Sequence, residues 1–261
     1  MGTALVIEND PSDDLRRLGE WLTEAELELT VVRPHAGDAL PETLDGHLAL
    51  IVLGGDQSAY ANTAGEPGAS WFPAVEALLR KAVRNRVPTL GVCLGGQLLA
   101  VAHGGLVERS TSGPEIGPGL VGRRDAADTD PLFKYVPLLP DVVQWHTDEI
   151  TELPIGAVLL AASTRFPHQA FRLGDRAWGL QFHLECDVEM IETWARSDAA
   201  LLDDLGYDPD AVVAAIADVL ADVEEVWQPF AARFASLALG TLPNADLPIP
   251  GAVRTLPLLG Q

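Results

Sequence analysis

Four near-continuous apolar runs closed by turn-forming residues mark the N-terminal part of the chain: "ALVIEND" (4–10), "ELTVVRP" (28–34), "LALIVLGGD" (48–56) and "VPTLGVC" (87–93). A strand buried on both faces has no polar side to alternate with, so such runs predict parallel strands inside a sheet. Between them, "SDDLRRLGEWLTEA" and "WFPAVEALLRKAVRNR" repeat apolar residues three and four apart. That spacing predicts amphipathic helices, with Ser12 as the N-cap candidate of the first. Strand alternating with helix predicts a doubly wound sheet, whose ligands sit beyond the carboxyl ends of the strands.

From about Gly104 the pattern shortens. "GLVERS", "GLVGRRDA", "VVQWHTDEI", "AVLLAAS", "QAFRLGD" and "AWGLQFH" are separated by Gly and Pro turns, which predicts hairpins and a mixed extension of the sheet. Residues 187–238 return to helical spacing and predict two or three helices, with "GYDPD" (206–210) as the break and the next N-cap. The expected fold is α/β, a flavodoxin-like three-layer sandwich with a mostly parallel central sheet, a small mixed or antiparallel extension and C-terminal helices. One domain is expected over 1–238. The Pro- and Leu-rich tail, 239–261, is expected to be irregular or to pack as an arm against the body or a partner.

Composition narrows the class of partner. Apolar residues make up 48% and charged residues 21%, as in ordinary soluble domains. Seventeen Lys and Arg against 38 Asp and Glu leave a net charge of −21. Phosphate backbones and anionic membranes, which need clustered cations, are poor partners for such a surface. No apolar run approaches the roughly 20 residues that span a bilayer, and no basic segment precedes the first strand, so a cytoplasmic protein is expected. The two cysteines, Cys93 and Cys186, fit a reducing compartment better than a disulfide framework.

Three strand ends carry candidate chemistry. Cys93 stands between an apolar strand and "LGGQLLAVAHG", at a corner where a sharp turn lifts a side chain above the sheet and a helix N-terminus favours a thiolate. A packed cysteine at a tight corner satisfies the same spacing. "WGLQFHLECD" ends a strand in His183 with Glu185 two residues on, a spacing that lets the carboxylate orient the imidazole. A histidine ending a strand beside a surface glutamate is the plainer alternative. "VLGGDQSAY" sets paired glycines at a third strand end, where a backbone amide and the first amide of the helix after Cys93 could face an oxyanion. Any tight turn would use the same glycines.

Taken together, "LGGDQSAY", "GVCLGGQLLA", "PEIGPGLV", "QWHTDEITELPIGAVLLAAS" and "QAFRLGDRAWGLQFHLE", in this order and spacing, resemble the class I glutamine amidotransferases. The resemblance spans roughly residues 48–187 and is nearest to stand-alone members like the amidotransferase domain of GMP synthase. It implies that Cys93 attacks a glutamine carboxamide, that His183 relays protons and is oriented by Glu185, and that a glutamyl thioester forms. It further implies that the amides of Gly55 and Leu94 hold the oxyanion and that Gln97 helps bind glutamine. His146 matches a histidine of the glutamine pocket, with a role in fixing its loop as the alternative. Neither metal nor cofactor is implied, and the spacing of Cys186 with His183 matches no standard zinc pattern.

The partner implied is glutamine or another γ-glutamyl small molecule, and the chain is either a subunit feeding ammonia to a separate synthetase or a self-contained hydrolase. The acidic helical C-terminus leaves room for self-association into a homo-oligomer. Three positions depart from the family pattern: Asp56 and Leu184, where Pro is common, and Gly96, where His or Met is common. Asp56 is expected to point outward or cap a helix, since an inward carboxylate would oppose an oxyanion and a thiolate. Gly96, beside Gln97, is expected to reshape the substrate pocket. These departures leave a catalytically inactive sensor of γ-glutamyl ligands as a second reading. A cysteine hydrolase acting on small aldehydes or peptides is a third.

Overall fold

The computed structural model describes residues 2–243 and residue 246. Its first part alternates β1 (Thr3–Ile7), α1 (Arg16–Glu24), β2 (Leu29–Val32), β3 (His47–Val52), α2 (Phe72–Asn85), β4 (Thr89–Val92) and α3 (Leu94–Val101). The shorter strands follow as β5 (Leu106–Arg109), β6 (Glu115–Leu120), β7 (Gly122–Arg123), β8 (Asp141–His146), β9 (Asp148–Glu152), β10 (Val158–Ala162), β11 (Ala170–Leu173) and β12 (Ala177–Leu180). The described chain closes with α4 (Val188–Ser197), α5 (Ala199–Asp204) and the long α6 (Pro209–Leu239).

An eight-stranded sheet runs in the order β2-β1-β3-β4-β12-β11-β10-β7. Its first five strands are mutually parallel, and β11, β10 and β7 continue it antiparallel. Two small antiparallel pairs, β5 with β9 and β6 with β8, stand beside it. The four apolar runs at the N-terminus and the mixed extension are therefore where the hydrophobic pattern predicts them.

Side chains of a strand alternate between faces, and β1 shows how this builds the layers. Ala4 and Val6 join Leu18 and Leu22 of α1 and Trp227 and Phe230 of α6 in one core. Leu5 and Ile7 join Phe72 and Val75 of α2 and Leu98 and Leu99 of α3 in the other. The sheet is thus the middle of three layers. Glycine brings α3 close to that sheet: a Cβ on Gly95 would stand 1.9 Å from the carbonyl oxygen of Val52, and one on Gly96 2.5 Å from that of Leu180.

Local details depart from the sequence reading. Ser12 does not cap α1, which begins at Arg16 with Leu15 in the N-cap position. The Ser12 hydroxyl donates instead to Asp10 Oδ1 at 2.8 Å and Asp13 Oδ2 at 2.9 Å. "GLVGRRDA" is not one strand: it divides into the end of β6, the two-residue β7 and a 3₁₀ turn over Asp125–Thr129. Residues 187–239 hold three helices, and the break at Gly206–Asp208 ends with the Asp208 carboxylate accepting from the amide of Asp210 at 3.0 Å. Most of the tail, 239–261, lies outside the described residues. No described helix is long and apolar enough to cross a membrane.

Candidate functional site

Parallel β4 and β12 are neighbours, so the segments leaving their carboxyl ends emerge side by side. The first of these is Cys93, with φ 49° and ψ −110°. A side chain at such a positive φ is strained by about 1–3 kcal/mol, which the surrounding structure must sustain. The structure does so by tying the Cys93 amide to the Leu180 carbonyl of β12 at 2.8 Å and by running straight into α3. The thiol stands at a strand-to-helix elbow and is only 7% exposed, at the floor of a cleft of about 350 Å³.

The second segment carries His183 and Glu185, both buried. Three contacts lock the ring and its carboxylate. His183 exchanges backbone hydrogen bonds with Val143 of β8, at 2.8 and 3.2 Å. Its Nδ1 is 2.7 Å from Oε1 of Glu185. The other carboxylate oxygen, Oε2, accepts from the Leu184 amide at 2.9 Å. Burial of His183 disfavours its charged form, but the carboxylate of Glu185, together with the charge and hydrogen bonding of Cys93, raises the imidazole well above its ordinary 6.5. The structure thus places the thiol, imidazole and carboxylate in one connected group.

Gly55 and Leu94 line the cleft beside Cys93. A Cβ on Gly55 would meet the side-chain ends of Gln57 at Oε1, 2.6 Å away, and of Leu94 at Cδ2, 3.1 Å away, so both would have to give way. Gln97 and His146 also line the wall, but both are engaged by the protein itself. The Gln97 amide nitrogen donates to the Asp148 carbonyl and to Gln181 Oε1, each at 3.2 Å. His146 Nδ1 is 2.9 Å from the same Asp148 carbonyl, and Nε2 is 3.1 Å from Glu115 Oε2. Gln181, two residues before His183, turns its Nε2 toward the Cys93 sulfur at 3.9 Å.

The rim is acidic. Asp56 is exposed at the mouth of the cleft with Asp198, and partial burial, then the charges of Asp10 and Asp198, raise its carboxyl above the ordinary value. Arg109 is the single Lys or Arg among the residues lining this cleft. Gly96 does not face the cleft wall that Gln97 forms. Its missing Cβ would press on the Leu180 backbone, so its smallness serves helix packing and not pocket shape.

Sequence reasoning missed Asp13 and Trp194. Trp194, buried in the core beneath α4, packs its ring 4.7 Å from that of His183 and donates from Nε1 to the Ser12 carbonyl at 3.0 Å. Asp13 is buried next to the same imidazole, a position no local motif signals. Cys186 lies close too, with potential ligand atoms of His183, Glu185 and Cys186 within 4.8 Å of one another. The first two of these are already hydrogen-bonded together. Burial, helped by Glu185, Asp13, Asp187 and Cys93, pushes the Cys186 thiol well up. A larger groove of about 750 Å³ beside β7 and β10 has neither cysteine nor histidine in its lining.

A doubly wound sheet with a thiol on an elbow after one strand, facing an imidazole after its neighbour, defines an α/β fold of the amidotransferase type. The chain belongs to the class-I glutamine amidotransferase family, whose family model matches residues 16–192. Among relatives, a glutamine amidotransferase-like protein of Salmonella typhimurium, YfeJ, is 32% identical over 66% of this chain and 71% of its own length. A glutamine-hydrolysing GMP synthase of Christiangramia forsetii is 33% identical over 56% of this chain but only 26% of its own length. Gamma-glutamyl peptidase 3 of Arabidopsis thaliana is 28% identical over 57% of this chain and 58% of its own. In fold, a glutamine amidotransferase of Thermotoga maritima superposes with a TM-score of 0.78 at 24% identity, covering 90% of this chain and 98% of that one.

Proposed function

We propose that this protein hydrolyses the amide bond of a γ-glutamyl compound, glutamine or a γ-glutamyl amine or peptide, with Cys93 as nucleophile. The observation that supports this best is the shared position of His183, raised by Cys93 on one side and held through Nδ1 by Glu185 on the other. With Nδ1 so engaged, the other ring nitrogen is the one left to exchange a proton with sulfur.

The Sγ–H proton of Cys93 passes to His183, and sulfur attacks the γ-carbonyl carbon. The resulting oxyanion is held by the amides of Gly55 and Leu94, donors fixed before reaction and so needing no reorganisation. His183 then delivers its proton to the leaving nitrogen as the C–N bond breaks, which releases ammonia or an amine and leaves a γ-glutamyl thioester. Water attacks that thioester, its proton passing to His183 and on to the departing sulfur, so that glutamate is released and the thiol restored.

The cleft also suggests how the γ-glutamyl end is held. Arg109 supplies the positive charge for the α-carboxylate. The amide nitrogen of Gln97 is committed to Asp148 and Gln181, so its oxygen is the part offered to the α-ammonium. His146, with both ring nitrogens engaged, positions Asp148 at the start of β9 rather than touching substrate.

The GMP synthase relative hydrolyses glutamine as part of a much longer chain, whereas the peptidase relative carries γ-glutamyl peptidase in its name. Release of ammonia or amine should be measured across glutamine, γ-glutamyl amines and γ-glutamyl peptides, with and without candidate synthetase subunits. In parallel, an electrophilic glutamine analogue should add one mass increment to the wild-type protein and none to Cys93→Ala. An unmodified wild type, with turnover indifferent to Cys93→Ala, would overturn the hydrolase reading in favour of a ligand sensor.

A further inference from the structure

Asp13 is buried, carries no role in the steps above, and approaches the same imidazole from the β1–α1 loop. The absent side chain of Gly54 makes that approach possible: a Cβ there would stand 2.3 Å from Asp13 Oδ1 and 3.2 Å from His183 Cε1. The loop is held firmly. The Asp13 amide donates to the Asp10 carbonyl at 3.2 Å, and the Ser12 hydroxyl donates to Asp13 Oδ2 at 2.9 Å. Trp194 grips the Ser12 carbonyl at 3.0 Å while its ring packs on His183, so loop and imidazole share one clamp.

We propose that Asp13 is a second carboxylate of the active site, whose ionised form favours the charged Cys93–His183 pair. The proposal rests on the reading of Cys93 and His183 as nucleophile and base. When the Sγ–H bond breaks and its proton moves to His183, the imidazolium gains a second anion besides Glu185. Coulomb attraction between buried groups is screened less than at a surface, so a carboxylate across the width of one missing methyl acts strongly.

Asp13 also changes charge in a useful range. Burial pushes its carboxyl up to about 7, against the pull of His183 and the Ser12 hydrogen bond, with Glu185 and Asp10 adding to the rise. The groups that face it are Asp10 and Ser12 on its own loop, and His183, Glu185 and the Cys186 thiol on the segment after β12. Below neutrality the imidazolium has one carboxylate to support it; above, it has two.

Alkylation of Cys93 by iodoacetamide, followed by intact mass across pH, reads this without any substrate. The wild-type rate should rise in a step centred near the Asp13 value of about 7. Asp13→Asn, which keeps the side-chain shape, should lose the step and react roughly three- to tenfold more slowly at alkaline pH. Ser12→Ala removes a hydrogen bond that lowers the Asp13 value, so the step should move to higher pH. An Asp13→Asn protein that keeps the step, or a Ser12→Ala protein whose step stays in place, would overturn the proposal. If the step behaves as expected but no γ-glutamyl amide is turned over, the hydrolytic reading fails while the coupling of Asp13 to the thiol stands.

Discussion

The backbone amide of Leu184 donates to Oε2 of Glu185 at 2.9 Å, so the carboxylate that holds His183 is itself held by the residue between them. Proline, common at this position among the class-I amidotransferases that the sequence resembles, has no N–H to give. Leu184→Pro should therefore leave a buried carboxylate oxygen without that partner. The expected loss is about 1–3 kcal/mol of stability, measured by urea unfolding. Leu184→Ala, which keeps the amide, should keep the hydrogen bond and serves as the control.

Glu185→Gln removes the strongest support for the imidazolium form of His183. With that support gone, the imidazole falls from its raised position, since burial opposes its charge. The alkaline limit of activity should move to lower pH, because proton donation to the leaving nitrogen fails once the ring is neutral. Turnover should fall on the order of 10²–10⁴-fold, as expected for loss of oriented acid–base catalysis. A pH profile of kcat/KM that keeps the wild-type alkaline limb would contradict this role.

Gly96→Met tests whether this glycine shapes the substrate pocket or the helix packing. The new Cβ would have to stand 2.5 Å from the Leu180 carbonyl oxygen, a backbone atom that moves only if α3 or β12 moves. Destabilisation of about 1–3 kcal/mol in urea unfolding is expected. Since β12 leads directly to His183, kcat should fall with little change of substrate preference. A switch of preference among γ-glutamyl compounds at unchanged stability would return Gly96 to the pocket wall.

Asp13→Asn should also change the pH dependence of stability. The folded protein keeps the Asp13 proton up to about pH 7, whereas the unfolded carboxyl releases it near its ordinary 3.8. Proton binding by the folded state is therefore greater across that window, and wild-type stability falls as pH rises through it. The variant lacks this loss. It should be more stable than wild type above neutrality, by roughly 2–4 kcal/mol, with the difference closing toward acid pH. Equal stability of the two proteins at alkaline pH would show that Asp13 is not held at such a cost.

Arg109→Ala removes the single cation lining the cleft. An α-carboxylate that loses a charge-assisted hydrogen bond loses about 1.5–3 kcal/mol, so KM should rise on the order of 10- to 100-fold with kcat less affected. A fall in kcat at unchanged KM would place Arg109 with the reacting bond instead of the γ-glutamyl end.

Much of this site was legible in local pattern. Cys93 stood out because an apolar strand ran into a glycine-flanked helix, and the His183/Glu185 pair because two residues of extended chain share a side. Asp56 was expected to point outward and is exposed at the rim, yet its crowding with Asp10 and Asp198 joins three loops that no local pattern relates. Ser12 resembled a helix cap by type and position, but α1 begins only at Arg16, three residues past the point where Ser12 could cap it, and its hydroxyl donates to Asp10 and Asp13 instead.

The order of apolar runs, the elbow at Cys93 and the spacing from His183 to Glu185 were determined by the sequence itself, because each depends on residues only a few positions apart. The placement of β12 beside β4, which brings residues 93 and 183 to one sheet edge, was decided by tertiary structure. So were the reach of Asp13 across Gly54, the clamp of Trp194 on His183 and the burden of Gly96 against Leu180. These are contacts between distant segments, and they exist only because packing removes water and leaves a few side chains, and a few missing ones, facing each other at fixed distances.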